Sequence, residues 1–428
     1  MIRRYLFLAV AACAVGLTGV GTASADVVTD WNNVWLDAVR ATGGGPCPIS
    51  RAGAMVSVAV FEAANSIDPT YEPYFDFVPV TKPADQTAAI AVAAHDVLVH
   101  IYPQQQGIFD AALAVSLAGV PAGEARENGI AVGLAAASHC ILGRNSDHSD
   151  NDAPYKFGNQ PGDYQLTDSF VAPHGPNWWQ CETWVIDRSD YFRVEPPLGY
   201  GSLTQLLRSA AYAAQFNEVK SLGSRTSVTR TAEQTEIAWF WANDRDGTFK
   251  PPGHLNYAVQ VIADQQGLNV LQEARLLALL NLSLADSVIK IWESKYHTSI
   301  DLWRPVTGIR RAAEDDNAAT IPDSSWNPLL EFTPPFPSYA SGHSSMGGAF
   351  AGVLATVFGT DDVTFTIGTD EPIVNNVTRT FHSFSEAGFE DALSRIYLGV
   401  HWRMDCEAAY RTGKRVGEYV ASNALRPL

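Results

Sequence analysis

Three short segments of the chain carry residues that could do chemistry. In "PSYASGHSSMGGAF" (337–350), Ser341, Gly342 and His343 stand directly ahead of a small, apolar, helix-like run. A helix N-terminus presents unpartnered backbone N–H groups and a partial positive charge, which suits it to hold an anion. Glycine lets backbone approach closely, serine adds a hydroxyl donor, and His343 beside them is placed to act as an acid or base. Taken alone, the tripeptide fits a plain helix cap followed by a core histidine better. "KYHTSIDLWRP" (295–305) ends a long apolar stretch with Lys295 and sets Arg304 immediately before Pro305, which stops any helix. "SRIYLGVHWRMDCEAAY" (394–410) supplies Arg395, His401 and Asp405. Arg395 and His401 do not share a helix face, and Gly399 between them offers the break that would let them converge. Asp405 follows His401 at the i+4 spacing, where its carboxylate would fix the tautomer of the ring. Each residue has a bland alternative: Lys295 as an exposed helix-end charge, the arginines as partners of surface acids, His401 as a core residue. Together they make three cations, a helix start and two histidines with different jobs, the components of a site for a tetrahedral oxyanion.

The elements that must position these groups read mainly as helices, predicting an all-α fold of two helical bundles. "SRAGAMVSVAVFEAANSI" (51–68) and "QTAAIAVAAHDVLVHIY" (86–102) are apolar nearly all round, as expected inside a bundle, and residues 107–142 continue the pattern. Between 145 and 203 the composition turns to Asp, Pro, Gly and Trp, which predicts a long ordered loop region joining two lobes. The expected division is a segment 26–200, with the first helices and this loop region, and a segment 201–428 carrying the oxyanion site. Helices resume at 202–223; Thr231 and Gln234 have the spacing of a capping box, and "NVLQEARLLALLNLSLADSVIKIWESKY" (269–296) predicts one very long helix. Further helices are expected after the Ser-Gly-His run and from about His401. "VTFTIGT" (363–369) alternates like a strand of a small hairpin.

Composition bounds what such a site can serve. The 428 residues are 46% hydrophobic and 18% charged, ample for a large core. Arg3 and Arg4, the apolar run after them and Ala23-Ser24-Ala25 have the layout of a secretory signal peptide over residues 1–25, with a lipoprotein reading at Cys13 as the weaker rival. Loss of that segment, which holds two arginines and no acid, takes the formal charge from -17 to -19. So acidic a surface disfavours nucleic acid and anionic membranes, and no later stretch approaches the roughly 18 uninterrupted apolar residues of a membrane span. Any anion site must therefore be local and built against the overall field. Cys47, Cys140, Cys181 and Cys406 show no CxxC pair or metal-ligand spacing and are read as structural or free, two bridges being open to them in any of three connectivities. "DRDG" (244–247) and "NSDHSDND" (145–152) hint at calcium without completing a ligand loop.

The three segments resemble the tripartite signature shared by vanadium-dependent haloperoxidases and acid phosphatases of the phosphatidic-acid-phosphatase type: K-x6-RP, PSGH and SR-x5-H-x3-D. The third segment matches fully. The second has Ala340 in place of proline, expected to loosen the turn. The first has eight residues between Lys295 and Arg304 where the signature has six, which opens the position of Lys295 and makes Lys290 a weaker substitute. The likeness to secreted bacterial haloperoxidases extends over nearly the whole chain after residue 25, through stretches such as "ISRAGAMVSVAVFEAANSIDPTYEPY" and "NEVKSLGSRTSVTRTAEQTEIAWFW". That resemblance implies vanadate as cofactor, with phosphate able to occupy the same place. It implies His401 as ligand to vanadium, Lys295, Arg304, Ser341, Gly342 and Arg395 on the oxygens, His343 as acid–base residue and Asp405 supporting His401. Hydrogen peroxide, a halide and a small organic substrate would be the reactants, Phe336 and Trp292 the halide pocket, with bromide and also chloride oxidised. Two alternatives stay open: phosphomonoester hydrolysis with His401 as nucleophile, and a non-catalytic oxyanion-binding protein disabled by the two extra residues after Lys295.

Overall fold

The helix Val270–Tyr296 is the axis on which the protein is assembled. In this computed structural model, which describes residues 26–75, 80, 82–167, 170–188 and 190–428, fourteen α-helices occur among the described residues. They are α1 Val27–Thr42, α2 Pro46–Ile67, α3 Gln86–Ile101, α4 Gln106–Ala118, α5 Glu124–Arg144, α6 Leu203–Leu207, α7 Ala210–Leu222, α8 Ala232–Phe240, α9 Lys250–Gln266, α10 Val270–Tyr296, α11 Pro305–Arg310, α12 Gly342–Phe358, α13 Phe384–Tyr397 and α14 Arg403–Asn423. A two-stranded antiparallel hairpin, β1 Phe365–Gly368 with β2 Thr378–Phe381, accompanies them, with Phe365 opposite Phe381. The expected signal segment lies outside the described residues.

α10 starts cleanly because Asn269 and Gln272 form a capping box, each side chain meeting the other's backbone N–H. Its apolar residues run all round the helix, so it packs on α2 of the first half and on α12 and α14 of the second. Two amides buried in that packing, Asn256 and Asn281, satisfy one another at 2.9 and 2.7 Å. α2 is long and apolar enough by composition to cross a membrane, which no stretch after residue 25 was expected to be, but 89% of its apolar window is buried inside the protein. The predicted helix 202–223 is broken into α6 and α7, because Ser209 leaves the helix and caps α7 through Tyr212 N at 3.0 Å.

The loop region 145–203 folds back along α10. The buried Asp286 carboxylate of α10 accepts the backbone N–H groups of Trp184, Val185 and Ile186 at 2.6, 2.9 and 3.0 Å. Arg144 then lies 4.0 Å over the Trp184 ring and donates to the Glu182 carbonyl at 2.7 Å. All four cysteines of the described residues are free and buried.

α12 and α14 meet through glycines rather than side chains. A Cβ on Gly413 would sit 1.9 Å from the Ser345 carbonyl oxygen, and one on Gly348 would sit 2.2 Å from that of Tyr410. Gly352 and Gly417 lie as tightly, at 2.4 Å from the Lys414 oxygen and 2.3 Å from the Ala349 oxygen. This close approach holds the Ser341 start of α12 against the first turn of α14, where Ser341 N donates to the Asp405 carbonyl at 3.1 Å.

Candidate active site

The start of α12 is built as its residue types dictate. Ser341 is the N-cap, its backbone extended and its hydroxyl accepting from Ser344 N at 3.4 Å. Ser341, Gly342 and His343 are all buried. Ala340 does not loosen the turn before them: it is fully buried and its N–H, which a proline would lack, donates to Ser294 Oγ at 3.2 Å. Gly342 leaves only enough room for the Trp292 ring, since a Cβ there would lie 3.3 Å from its Cζ3.

α13 stops at Tyr397, and Gly399 turns the chain with a φ of 78°. That turn aims Arg395 and His401 at one point. His401 precedes α14, and Asp405 sits in its first turn, where Oδ2 accepts from Trp402 N at 2.9 Å, from Ser338 Oγ at 2.5 Å and from His401 Nδ1 at 3.1 Å. Burial pushes the Asp405 carboxyl up to about 6.

Lys295 also belongs to the cluster. Its ammonium is fully buried and donates to the Pro337 carbonyl at 2.7 Å and to the Ser338 carbonyl at 3.4 Å, on the strand of chain that leads into Ser341. The two extra residues after it do not draw Lys295 away from the chain leading into Ser341. Lys290 is committed elsewhere, to Glu293 at 2.5 Å. Arg304 donates through Nε to the Phe336 carbonyl at 2.7 Å and through Nη1 to the Val400 carbonyl at 2.7 Å and to His401 Nε2 at 3.0 Å. Phe336 packs against Trp292 with ring centroids 5.1 Å apart, and the Lys295 and Arg304 cations each lie 4.7 Å over the Phe336 ring.

These cations are buried without enough negative charge to balance them. Burial first, and then Arg304, hold the Lys295 ammonium well below its ordinary value; burial holds Arg304 down at about 10. Burial, then Arg304, Lys295 and Arg395, keep His401 neutral. Arg304 Nη2 and both Nε and Nη1 of Arg395 are sealed from solvent with no hydrogen-bond partner. Unused guanidinium donors at one place call for an acceptor group, and a tetrahedral oxyanion supplies several.

The comparisons with known proteins bear on the same residues. Residues 275–428 match the family model described as the VCPO second helical-bundle domain. The chain is 28% identical over 296 residues to the vanadium chloroperoxidase of Curvularia inaequalis, a match covering 56% of this chain and 47% of that protein, so it spans about half the length of that relative. Over 94% of this chain and 97% of the other, the structure superimposes with a TM-score of 0.79 at 24% identity on a bacterial vanadium-dependent iodoperoxidase. A bacterial vanadium-dependent chloroperoxidase in its holo form gives 0.73 at 17% identity, over 90% of this chain and 93% of its own. The fold is that of the vanadium-dependent haloperoxidases.

In this haloperoxidase fold the structure adds a residue that the sequence motifs left out. Asp244, just after α8, receives a 2.7 Å ion pair from Arg395 Nη2 and stands 3.9 Å from His343 Nε2. Burial raises its carboxyl, but Arg395, His343 and Lys250 outweigh that and hold it below the usual carboxylate range. It lies in the "DRDG" run that hinted at calcium; the charges of that run are instead spent on Arg395 and on Lys250, which Asp246 meets at 2.7 Å. No group of three or more metal-binding side chains occurs among the described residues. The signal available in the sequence was an acidic residue ending the buried aromatic run "AWFWAN", where a lone carboxylate needs a cation.

The cluster forms the floor of a cavity of about 620 Å³, reached by Gly342, His343, Arg395 and His401. Its lining is apolar at Phe170, Phe332, Pro334, Pro335 and Phe336 and polar at Asp244, Arg245, Asp246 and Lys250. His343 Nε2 donates to the Ala242 carbonyl at 3.2 Å, leaving Nδ1 with the lone pair. Burial, and after it Arg395, press this imidazole down to about 3.

Proposed function

We propose that this chain is a vanadium-dependent haloperoxidase, oxidising bromide, and chloride as well, with hydrogen peroxide to hypohalous acid that halogenates small organic substrates. One observation carries the reading: three buried guanidinium nitrogens without partners converge, with Lys295 and the start of α12, around the lone pair of a neutral His401. That set fits vanadate. Lys295, Arg304, Arg395 and the Ser341–Gly342 helix start would hold its oxygens, and His401 Nε2 its metal. When bound, vanadate supplies a Lewis acid that activates hydrogen peroxide toward halide.

The chain's own residues do the rest. Asp405 holds the His401 proton on Nδ1, keeping Nε2 available. His343 Nδ1 is positioned to take and return a peroxide proton, and an anion at Arg395 would cancel part of the repulsion that depresses this ring. Asp244 keeps Arg395 in place while leaving two of its nitrogens free. Of the two expected halide-pocket residues only Phe336 lines the cavity, Trp292 being buried against it, so Phe336 provides the aromatic surface on which a weakly hydrated halide can rest. Export by way of the leader expected at residues 1–25 is part of this proposal and rests on the sequence pattern alone.

The same oxyanion pocket would accept phosphate, so the decisive experiment titrates orthovanadate against two activities. Bromination of an activated diketone with peroxide and bromide should rise with vanadate and be inhibited by phosphate. Cleavage of p-nitrophenyl phosphate with no vanadate-dependent bromination would make the chain a phosphatase instead, and absence of both with oxyanion binding retained would make it a binding protein.

A further inference from the structure

The loop region between α5 and α6 brings an imidazole to the cavity that no motif announces. His174 lines the cavity together with Gly45 and Phe336. Its backbone is fixed against the aromatic wall: His174 N donates to the Pro335 carbonyl at 2.7 Å, and its carbonyl accepts from Trp292 Nε1 at 3.3 Å and Tyr296 Oη at 3.0 Å. Nε2 is sealed from solvent and has no hydrogen-bond partner. It is pressed against Gly45, where a Cβ would fall 1.9 Å from Nε2, so only glycine lets the ring sit there. The neighbouring Gly175 is also close-packed, though less tightly: a Cβ on it would lie 3.0 Å from Trp292 Nε1. A ring so carefully accommodated, yet bonded to nothing in the protein, has its hydrogen-bonding capacity in reserve.

The tautomer follows from the packing. An N–H pressed on a glycine Cα has no acceptor, whereas a lone pair there meets a polarised Cα–H, so Nε2 is the better place for the lone pair and Nδ1 for the proton. Burial lowers the imidazole's proton affinity, which keeps the ring neutral with a single N–H to give. Phe336, which lines the same cavity with the buried Trp292 packed against it, offers a ring edge, the positive part of an aromatic quadrupole.

We propose that His174 is a specificity-determining residue that holds the halide, its Nδ1–H and the edge of Phe336 forming the halide's seat in the cavity. This deepens the function proposed above and rests on it for turnover, but halide binding itself is measurable without turnover.

The test uses the full-length protein loaded with orthovanadate, so that chloride cannot occupy the oxyanion cluster, and reads the excess ³⁵Cl linewidth of added chloride. His174→Phe should lose most of that excess, with His174→Gln, which keeps an N–H, retaining more. The bromide KM of His174→Phe should rise about tenfold, the loss of one hydrogen bond to an anion, with peroxide KM within twofold of wild type. Gly45→Ala, whose backbone φ of -93° any residue adopts, displaces the ring and should raise the bromide KM in the same direction. Linewidth and bromide KM within twofold of wild type in a folded His174→Phe protein would overturn the assignment. If linewidth depends on His174 while no bromination occurs at all, the halide seat stands and the peroxidase function falls; bromination with a linewidth indifferent to His174 means the reverse.

Discussion

Nη1 of Arg304 lies 3.0 Å from Nε2 of His401, while Nδ1 of the same ring lies 3.1 Å from Oδ2 of Asp405. A guanidinium can only donate, so Nε2 must carry the lone pair and Nδ1 the proton. Two residues on opposite sides of the ring thus select one tautomer, and burial among cations keeps it uncharged. An electron-poor centre taking that lone pair would release the Arg304 N–H toward the oxygens around it.

Asp405 makes the first prediction. Its folded carboxyl, pushed up to about 6 by burial, holds a proton more tightly than in the unfolded chain, so from this group stability falls as pH rises from the ordinary carboxylate range through about 6. Asp405→Asn carries no charge and lacks that slope. In oxyanion-free buffer, the variant should gain on wild type by up to about 3 kcal/mol between pH 4 and 7, two pKa units of differential proton binding. Urea melts across that range check it; parallel curves would mean the carboxylate is not strained by burial.

Arg395 makes the second. Nη2 is spent on Asp244 while Nε and Nη1 wait for a ligand, a division of labour that only a planar fork can manage. Arg395→Lys must abandon one side. Vanadate retention, followed by equilibrium dialysis, should weaken by about tenfold to a hundredfold. The rise in melting temperature on adding vanadate should shrink accordingly, because ligand stabilisation scales with the logarithm of affinity.

His343 separates binding from chemistry. Burial and then Arg395 press the ring down to about 3, and an anion that offsets that guanidinium would remove the second of these two causes. Loading with vanadate should therefore move its titration upward, observable by ¹⁵N NMR of the imidazole. His343→Ala should keep vanadate yet lose on the order of 10² to 10⁴ in turnover. Loss of vanadate instead would make His343 part of the oxyanion cradle.

What the sequence revealed of this site tracks what each residue's neighbours along the chain determine. Ser394 to Asp405 was legible because a helix end, one glycine and a helix start are local events, and Gly399 alone turns the two side chains together. Ser341 was legible as a cap for the same reason. Lys295 was ambiguous because spacing along the chain says nothing about the course of the loop between it and Arg304. Asp244 and His174 were illegible as site residues: each reaches the cavity from a connection whose course is set by distant partners, such as the Asp286 carboxylate that anchors 184–186 on α10. The helices themselves were read from their apolar pattern, except where Ser209 splits the predicted 202–223 run in two.

The last prediction links packing to the site. Gly413 in α14 faces the Ser345 carbonyl in the first turn of α12, and α12 brings Ser341 and Gly342 to the oxyanion cluster while α14 brings Asp405. Alanine is the better helix former by about 1 kcal/mol, so propensity alone would make Gly413→Ala stabilising. A Cβ 1.9 Å from a backbone oxygen cannot be accommodated by a side-chain rotation, however, and overpacking of this kind costs about 1–3 kcal/mol or more. The clash should win, and because the helices must part at the site, melting temperature and vanadate affinity should fall together. Gly107→Ala in α4, where an added Cβ meets nothing within 4 Å, provides the control and should be neutral or mildly stabilising with vanadate affinity unchanged. If Gly413→Ala melts lower but binds vanadate as tightly as wild type, the spacing of α12 and α14 sets stability alone and the oxyanion cradle is held by its loops.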